Sequence, residues 1–367
     1  MKNVYLISNS FKSFYLFRKE IINELSKKHN LLLVANEDEY SNYFRGKVTC
    51  IKFNNLFNRK SFFSNLKIIF ILFFLFLKKK PHLVQTYTIH PNLICLPIAK
   101  LFMSSTVAMI TGMGSLSITN SKILKKIFDL VYKFSFSFCD HIIFVNNDNK
   151  NYFTNILKIK KKSITIHGAG IDLKRKPIIK KNLKHALVLK KNFNIVFVGR
   201  IIIEKGVLDA IKLFKLLNIP EKKLIFVGGF DSSAFSKKVN KNIFNYPGII
   251  FLNHQKEVNH IYEIADIFIL PSRTEGMPTS LMEAIKFNVP TVSYKIPGVR
   301  DVIKNNLNGM MVKPGDIISA SNKINSLYKS RNLRNIILSN SLKLKNKFDR
   351  KKIIQKVLLF YDDIINK

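Results

Sequence analysis

The sequence predicts an α/β fold: two doubly wound parallel sheets, each covered by helices, in two domains that face a cleft. Short apolar segments alternate with longer amphipathic ones, which is typical of strands and helices in parallel sheets. A basic stretch that begins at Lys174 interrupts this alternation, which then starts again. A length of 367 residues, 47% of them apolar, suits two domains with one core each.

The first series of elements fills the N-terminal half of the chain. It opens with an apolar strand over Val4–Ser8 and a helix over Tyr15–Lys28. Five more strands are predicted in this half: Leu31–Asn36, His82–Tyr87, Val107–Thr111, Ile142–Asn146 and Ile164–His167. Because these strands are apolar along their whole length, we expect a parallel sheet that is buried on both faces.

The second series follows the basic stretch. Its predicted strands are Asn194–Gly199, Leu224–Gly228, Ile249–Leu252, Asp266–Leu270 and Pro290–Tyr294. Helices are predicted between them, among others over Leu208–Leu217 and Leu281–Phe287. We therefore place the two domains at residues 1–170 and 171–348. The last segment, residues 349–367, is amphipathic, and we expect it to form a helix that packs across the domain joint.

The formal net charge of +38 has three possible explanations. The electrostatic field of so positive a protein attracts nucleic acid, and it also attracts an anionic membrane surface. Part of it is expected to be compositional drift, because Lys, Ile, Asn and Phe are frequent throughout. No nucleic-acid-binding motif of a usual kind is visible, and the basic residues flank apolar, aromatic segments. This favours a membrane surface as the partner over nucleic acid.

The cysteines and the N-terminus bear on the compartment. Cys50, Cys95 and Cys139 are isolated, without the spacing of a metal or redox site, which indicates packing residues of a reducing compartment. The first apolar run, Val4–Ile7, is too short for a secretory signal and suits a first strand. We therefore expect a cytoplasmic protein.

Two segments raise the question of membrane contact. Ile68–Leu77 is a run of ten apolar residues that ends in three lysines and a proline. As a helix it spans about 15 Å, too short to cross a bilayer, so it is either a buried helix or one that dips into the interface. Ser121–Phe138 has the pattern of an ordinary amphipathic helix, with a basic face that could contact anionic lipid.

The most informative segment runs from Thr274 to Ala284, between an apolar strand and a helical pattern. Glu275 and Glu283 are separated by seven residues, and Gly276 and Pro278 suit a turn that enters a helix. The N–H groups at the helix start, from Thr279 to Leu281, are a natural seat for phosphate. The structural alternative is a capping box between Ser280 and Glu283. A capping box would not explain why Glu275 and Gly276 lie at the end of a strand. Open α/β sheets bind their ligands at that place.

A second motif, from Gly199 to Gly206, follows the first strand of the second domain. It contains Arg200 and Lys205 and precedes a helix, which is the outline of a phosphate site. The alternative is a pair of solvated surface cations in a very basic chain. Because both motifs follow parallel strands, we expect them on one rim of one sheet. Cations for phosphate and a carboxylate for ribose together describe a nucleoside diphosphate site.

Together these residues resemble those of the retaining family 4 glycosyltransferases, which have the GT-B fold of two Rossmann-like domains. The E-x7-E and G-R-x3-E-K-G elements occur in the expected order, and the resemblance covers essentially the whole chain. It implies an N-terminal acceptor domain and a C-terminal nucleotide-sugar domain. It also implies metal-independent transfer with retention of configuration, consistent with the lack of a convincing D-x-D motif, and no cofactor, because the nucleotide sugar is a co-substrate.

The resemblance also implies roles for individual residues. Arg200 and Lys205 would contact the donor diphosphate, Glu283 the ribose, and Glu275 the donor sugar. His90 matches the position of a family histidine beside that sugar, so Glu275 and His90 are the predicted catalytic residues. The other donor-binding residues are predicted around the helix start: Gly276, Met277, Thr279, Ser280 and Leu281. One departure is the loop Asn9–Ser13, which lacks the glycines of many relatives and puts an N-terminal donor contact in doubt.

Four shorter segments are similar to bacterial N-acetylgalactosaminyltransferases that act on polyprenyl-diphosphate-linked sugars. They are Thr111–Ser115, Leu130–Phe136, Phe144–Asn146 and His167–Asp172. They imply transfer of a sugar, expected to be a UDP-linked N-acetylhexosamine, to a lipid-linked saccharide in surface polysaccharide biosynthesis such as O-antigen or capsule. The enzyme would then be peripheral on the cytoplasmic face of the membrane. The alternatives are a nucleotide-sugar epimerase of the same fold and a non-enzymatic basic protein that binds membrane or nucleic acid.

Overall fold

The computed structural model describes residues 1–54, 62–113, 121–174, 192–230 and 244–366, with the backbone alone for 62–64. The predicted basic stretch after Lys174 and the Gly114–Ser115 pair lie outside these residues. The chain divides into two compact units. Residues 1–169 and 351–367 form the N-terminal unit, and residues 170–350 form the C-terminal unit.

The N-terminal unit is built on a parallel sheet of seven strands in the order β3-β2-β1-β4-β5-β6-β7. The strands are β1 Asn3–Ile7, β2 Asn30–Asn36, β3 Thr49–Phe53, β4 Leu83–Tyr87, β5 Ser105–Ile110, β6 His141–Phe144 and β7 Lys162–Thr165. The connecting helices are α1 Phe11–Lys28, α2 Phe62–Lys78, α3 Ile89–Leu101, α4 Lys122–Ser137 and α5 Asn147–Asn151. A short helical turn, Ser41–Phe44, precedes β3, and a π-helical turn, Tyr152–Ile156, follows α5.

The C-terminal unit has a parallel sheet of six strands in the order β10-β9-β8-β11-β12-β13. The strands are β8 Phe193–Val198, β9 Lys222–Val227, β10 Ile249–Phe251, β11 Ile267–Leu270, β12 Thr291–Tyr294 and β13 Met310–Val312. The helices are α6 Val207–Leu216, α7 Asn259–Glu263, α8 Thr279–Lys286, α9 Val299–Val302, α10 Ile317–Lys329 and α11 Arg331–Leu344. Single helical turns lie at Ile203–Lys205 and Lys345–Phe348.

A last helix, α12 (Arg350–Ile365), packs on the N-terminal unit almost over its whole length. Its Tyr361 hydroxyl donates to the Oε1 atom of Gln85 at 3.0 Å and lies 3.3 Å from the hydroxyl of Tyr87. All three side chains are buried. This polar contact fixes the C-terminal segment against β4.

Both sheets are doubly wound, which confirms the predicted α/β class. In each sheet the chain first moves to one side of its starting strand and then crosses to the other side. The change of direction lies between β1 and β4 in the first sheet and between β8 and β11 in the second. At such a point the loops at the carboxyl ends of the two strands diverge and leave a crevice, where ligands of open α/β sheets bind.

The sequence prediction missed two strands, and both lie at a sheet edge. β3 (Thr49–Phe53) is largely accessible along its length, and β13 (Met310–Val312) has three residues. Neither carries the long apolar run that marks a strand buried on both faces. Most of the other strands end one or two residues before the predicted end, because residues such as Ser8, Gly199 and Gly228 begin the following loops.

The interpretation of α4 as an ordinary amphipathic helix was wrong in one respect. Its apolar stripe, which includes Ile127, Leu130 and Phe134, is exposed, and the face toward the sheet carries Tyr132 and Phe136. For α2 the buried alternative is confirmed for one face only. Ile68, Leu72 and Phe76 are buried against the sheet, whereas other apolar residues of α2 are exposed.

Candidate functional site

The two predicted motifs meet at the switch point of the C-terminal sheet. The turn that holds Arg200 and Lys205 follows β8, and the segment that holds Glu275 follows β11, the neighbouring strand. Because both strands are parallel, the two segments leave the same edge of the sheet. The expected common rim is therefore present, at the place where this fold class binds ligands.

Gly206 brings the two segments into backbone contact. It has a φ of +75°, and a Cβ at this position would lie 1.8 Å from the carbonyl oxygen of Pro271. The N–H of Arg273 also donates to the carbonyl of Glu204 at 2.9 Å. Only glycine combines this left-handed conformation with so close an approach. The turn after β8 is thus held against the segment after β11.

Lys205 and Glu275 form an ion pair across this contact. The Nζ atom of Lys205 lies 2.6 Å from the Oε2 atom of Glu275, and the side chains are 20% and 9% exposed. Partial burial weakens solvent screening, so this pair is stronger than a typical surface pair. The structure therefore joins the predicted diphosphate cation to the predicted sugar-binding carboxylate.

The backbone around Glu275 is also held from the side of β12. Gly298, which follows this strand, has a φ of +79°, and a Cβ there would lie 2.2 Å from the carbonyl oxygen of Gly276. Met277 is partly buried and packs on the core of the C-terminal unit. The Glu275–Met277 segment is consequently braced on two sides, as a binding loop needs to be.

Helix α8 begins two residues earlier than the capping-box alternative requires. Its N-cap is Pro278, and Ser280 lies inside the first turn, so Ser280 does not cap the helix. The N–H of Leu281 donates to the carbonyl of Pro278 at 3.2 Å. Thr279 and Ser280 occupy the positions whose N–H groups have no acceptor within an α-helix. The predicted anion seat at this end of α8 thus depends mainly on these two residues.

Glu283 is oriented by a residue that the sequence motifs do not include. The buried hydroxyl of Tyr262, on α7, donates to the Oε2 atom of Glu283 at 3.0 Å and lies 3.1 Å from the carbonyl oxygen of Ser280. Burial and the neighbouring Glu283 carboxylate raise the pKa of Tyr262 well above its usual value, so the hydroxyl stays a donor. The Tyr262 ring also stacks on Phe287, the C-cap residue of α8.

A second network outside the motifs supports the loop after β11. The carboxylate of Asp209, on α6, accepts hydrogen bonds from Arg273 and from the Tyr294 hydroxyl, both at 2.9 Å. Burial and the hydrogen bond to Asp209 raise the pKa of Tyr294. Asp209 is itself buried and thereby ties α6 to the ends of β11 and β12. No sequence spacing signalled this arrangement.

Arg200 is exposed at the start of the turn after β8. The next residue, Ile201, is buried, and its N–H donates to the carbonyl of Gly229 at 2.9 Å, which fixes the backbone beside Arg200 to the loop after β9. The guanidinium is therefore carried by a held backbone at the rim. This suits an exposed cation that meets an incoming anion.

His90 lies in the N-terminal unit, near the switch point of its own sheet. It is the second residue of α3, directly after β4, and its Nε2 atom lies 2.9 Å from the Oδ1 atom of Asn65 on α2. Thr88, which precedes α3, has a φ of +69°, unusual for a β-branched residue. Strain of this kind concentrates at functional sites.

A metal ion would need a cluster of ligating side chains. Within the described parts of the chain, no group of three or more His, Cys, Asp or Glu side chains could hold a metal ion. Two cationic side chains, Arg200 and Lys205, lie in the turn after β8 at the rim of the C-terminal sheet.

Comparison with known proteins identifies the class of enzyme. Residues 179–343 match the family of glycosyl transferases group 1. The chain is a glycosyltransferase. It is 27% identical, over 98% of both chains, to the N,N'-diacetylbacillosaminyl-diphospho-undecaprenol alpha-1,3-N-acetylgalactosaminyltransferase of Campylobacter jejuni. It is 24% identical, over 92% of this chain and 89% of the relative, to the UDP-Gal:alpha-D-GlcNAc-diphosphoundecaprenol alpha-1,3-galactosyltransferase of Escherichia coli.

Solved structures agree on the fold of this glycosyltransferase. Anabaena Alr3699/HepE, crystallised in complex with UDP and glucose, superposes with a TM-score of 0.79 over 99% of this chain and 100% of that chain, at 16% identity. The GT-B prediction and the predicted glycosyltransferase activity are thereby confirmed. The alternatives of an epimerase and of a non-enzymatic basic protein find no support. The roles of individual residues stay predictions.

Loss of the Tyr262 hydroxyl should weaken donor binding more than turnover. We expect Tyr262→Phe to raise the donor KM about three- to tenfold, because Glu283 loses a hydrogen bond that orients it. Glu283→Gln should raise KM further, with a loss in kcat/KM of about five- to 150-fold. Steady-state kinetics with varied donor measure both, and Tyr328→Phe on α10 serves as the control. Equal KM values for all variants would contradict the ribose assignment.

Proposed function

We propose that this glycosyltransferase moves a sugar, expected to be an N-acetylhexosamine, from a nucleoside diphosphate donor to a lipid-linked saccharide in bacterial surface polysaccharide biosynthesis. The observation that carries the proposal is the Lys205–Glu275 pair at the switch point, with the start of α8 and Glu283 on the same rim. The relatives from Campylobacter jejuni and Escherichia coli support it, because their names place undecaprenyl-diphosphate-linked saccharides in their reactions.

The donor assignments follow the chemistry of this rim. Lys205 and Arg200 would receive the diphosphate, together with the first-turn N–H groups of α8 at Thr279 and Ser280. Glu283 would accept hydrogen bonds from the ribose hydroxyls. Glu275 would bind the transferred sugar, whose hydroxyls would also meet the backbone of Gly276, Met277 and Leu281.

The same groups suggest how the bond to the leaving group breaks. Negative charge grows on the diphosphate as it departs, and fixed cations and helix N–H groups stabilise such charge where it develops. Lys205 and Arg200 would fill the part that a metal ion plays in other transferases. We propose metal-independent transfer with retention, in which the acceptor hydroxyl attacks from the leaving-group face and the donor phosphate takes its proton. We propose His90 as the second catalytic residue, as the resemblance implies.

The acceptor implies a place at the membrane. Among the described residues, no helix is both long and apolar enough to cross a bilayer. We propose that the enzyme is peripheral on the cytoplasmic face of the membrane and binds its anionic surface. We expect no nucleic acid partner. The excess of lysine supports attraction to anionic lipid headgroups.

A panel of nucleotide sugars tests the donor proposal. We expect a UDP-linked N-acetylhexosamine to raise the melting temperature and to bind in calorimetry equally well with EDTA and with Mg²⁺, because side chains supply the cationic charge. A Lys205→Ala variant provides the control for binding at this rim. Complete loss of binding in EDTA would contradict metal independence, and no response to any nucleotide sugar would contradict the donor class.

A further inference from the structure

Helix α4 carries three distinct stripes. The stripe toward the sheet is buried and includes Tyr132, Ser135 and Phe136. A second stripe is apolar and exposed: Ile123, Leu124, Ile127, Leu130, Val131 and Phe134. Leu130 and Phe134 are each 66% exposed. A soluble surface helix usually turns its apolar stripe toward the core, so an exposed one needs a partner.

Helix α2 repeats this arrangement. Its buried stripe contains Ile68, Leu72 and Phe76, and its opposite stripe is apolar and exposed: Leu66, Ile69, Phe70, Phe73, Phe74 and Leu77. Phe70 and Phe74 are each 62% exposed. Since positions three and four apart share one helix face, these six side chains form a continuous ridge.

The two ridges lie on one face of the N-terminal sheet. The connections from β3 to β4, from β4 to β5 and from β5 to β6 all run in the same direction across the sheet. Right-handed connections in one direction place their helices on one face. Helix α3 packs against α2 on one side and against α4 on the other, so the two ridges flank it.

Lysines border both ridges. On α4, Lys122, Lys126 and Lys133 form a third, exposed stripe next to the apolar one. On α2, Lys67 and Lys78 are exposed, followed by Lys79 and Lys80. Protein interfaces are depleted of lysine, whereas helices that lie in a membrane interface combine apolar residues with lysine. The charge therefore favours anionic lipid over a protein partner.

We propose that the exposed apolar stripes of α2 and α4 insert together into the boundary between headgroups and acyl chains of an anionic membrane. This rests on the proposed function, because it names the surface by which the enzyme would reach a lipid-linked acceptor. The helices would lie in the membrane plane, with their lysines at the level of the phosphates. Helix α3, whose second residue is His90, lies between the two ridges, so this face of the N-terminal sheet would lie against the headgroups.

Vesicle co-sedimentation of the full chain tests the surface. The probes are vesicles of phosphatidylglycerol with phosphatidylcholine, and of phosphatidylcholine alone. We expect Phe70→Ser/Phe74→Ser on α2 and Leu130→Ser/Phe134→Ser on α4 each to weaken binding to the acidic vesicles more than about tenfold. The control, Ile318→Ser/Leu359→Ser, changes residues that are 69% and 62% exposed elsewhere and should bind like the wild type. Lys126→Gln/Lys133→Gln should reduce the dependence of binding on salt.

Two outcomes would overturn this proposal. One is unchanged vesicle binding in both the α2 and the α4 variants while their melting temperatures stay normal. The other is a wild-type dimer that these variants convert to monomers without change in vesicle binding, which would show that the ridges bind a second copy of the chain. UDP-sugar binding, measured in the same variants, separates this membrane proposal from the proposed donor site. It should stay normal in the α2 and α4 variants. If the wild type does not bind a UDP-sugar, that result contradicts the donor site and not the membrane surface.

Discussion

A Lys205→Ala variant should bind its nucleotide sugar weakly and lose about 10²- to 10³-fold in kcat, as in other sites where one stabiliser of developing negative charge is removed. The physical reason is the position of the ammonium group, which lies in the partly buried pair with Glu275 at the switch point. If the donor phosphate displaces the Glu275 carboxylate, it meets a Lys205 ammonium group that is already held at the rim. Donor kinetics at saturating acceptor measure the loss.

The control for this change is Lys212→Ala, an exposed lysine on α6, a few residues away. It removes the same charge from the same region without touching the rim. The two variants should have similar melting temperatures. If they also have equal kcat values, or if the activity of Lys205→Ala falls only in proportion to lost folded protein, Lys205 has no part in the reaction.

A Glu275→Gln variant should lower kcat about 10- to 100-fold while donor KM changes little, because this carboxylate is assigned to the reacting sugar. Gln keeps the shape of the side chain but removes the charge that pairs with Lys205. Glu263→Gln, on the exposed face of α7, is the matched control. A loss confined to KM would place Glu275 at the nucleotide instead.

The double variant shows whether the pair acts as a unit. Residues in direct contact are usually non-additive, so Lys205→Ala/Glu275→Gln should lose less than the product of the two single losses. Fully independent effects would mean that the contact between Lys205 and Glu275 has no role in catalysis, although both residues are needed.

The sequence predicted the sheets well because strands buried on both faces must be apolar along their length. β8 and β11 carry that pattern, and the residues that follow them, Gly199 and Pro271, mark where the turns begin. The segments that follow these two parallel strands leave the same edge of the sheet. The positions of the strands are therefore enough to predict that Lys205 and Glu275 lie close together. The edge strand β3 escaped prediction because it is accessible and, with Lys52 in it, has no long apolar run.

The sequence could not reveal contacts that depend on side chains from distant elements. Tyr262 and Asp209 orient Glu283 and Arg273 through tertiary packing alone, and no spacing along the chain relates them. The sequence also did not reveal which face of α4 packs on the sheet. Periodicity shows that Leu130 and Phe134 share a face, but only the packing of Tyr132 on the sheet shows that this face is exposed.

Transfer of labelled sugar to a lipid acceptor tests the central claim most directly. The wild-type enzyme, in EDTA, is incubated with a UDP-N-acetylhexosamine labelled in the sugar and with undecaprenyl-diphosphate-linked saccharide, and the label that enters the lipid extract is counted. We expect steady transfer by the wild type and a rate lower by about 10²-fold or more for Lys205→Ala. No transfer from any sugar of the panel, or equal transfer by Lys205→Ala, would contradict the account.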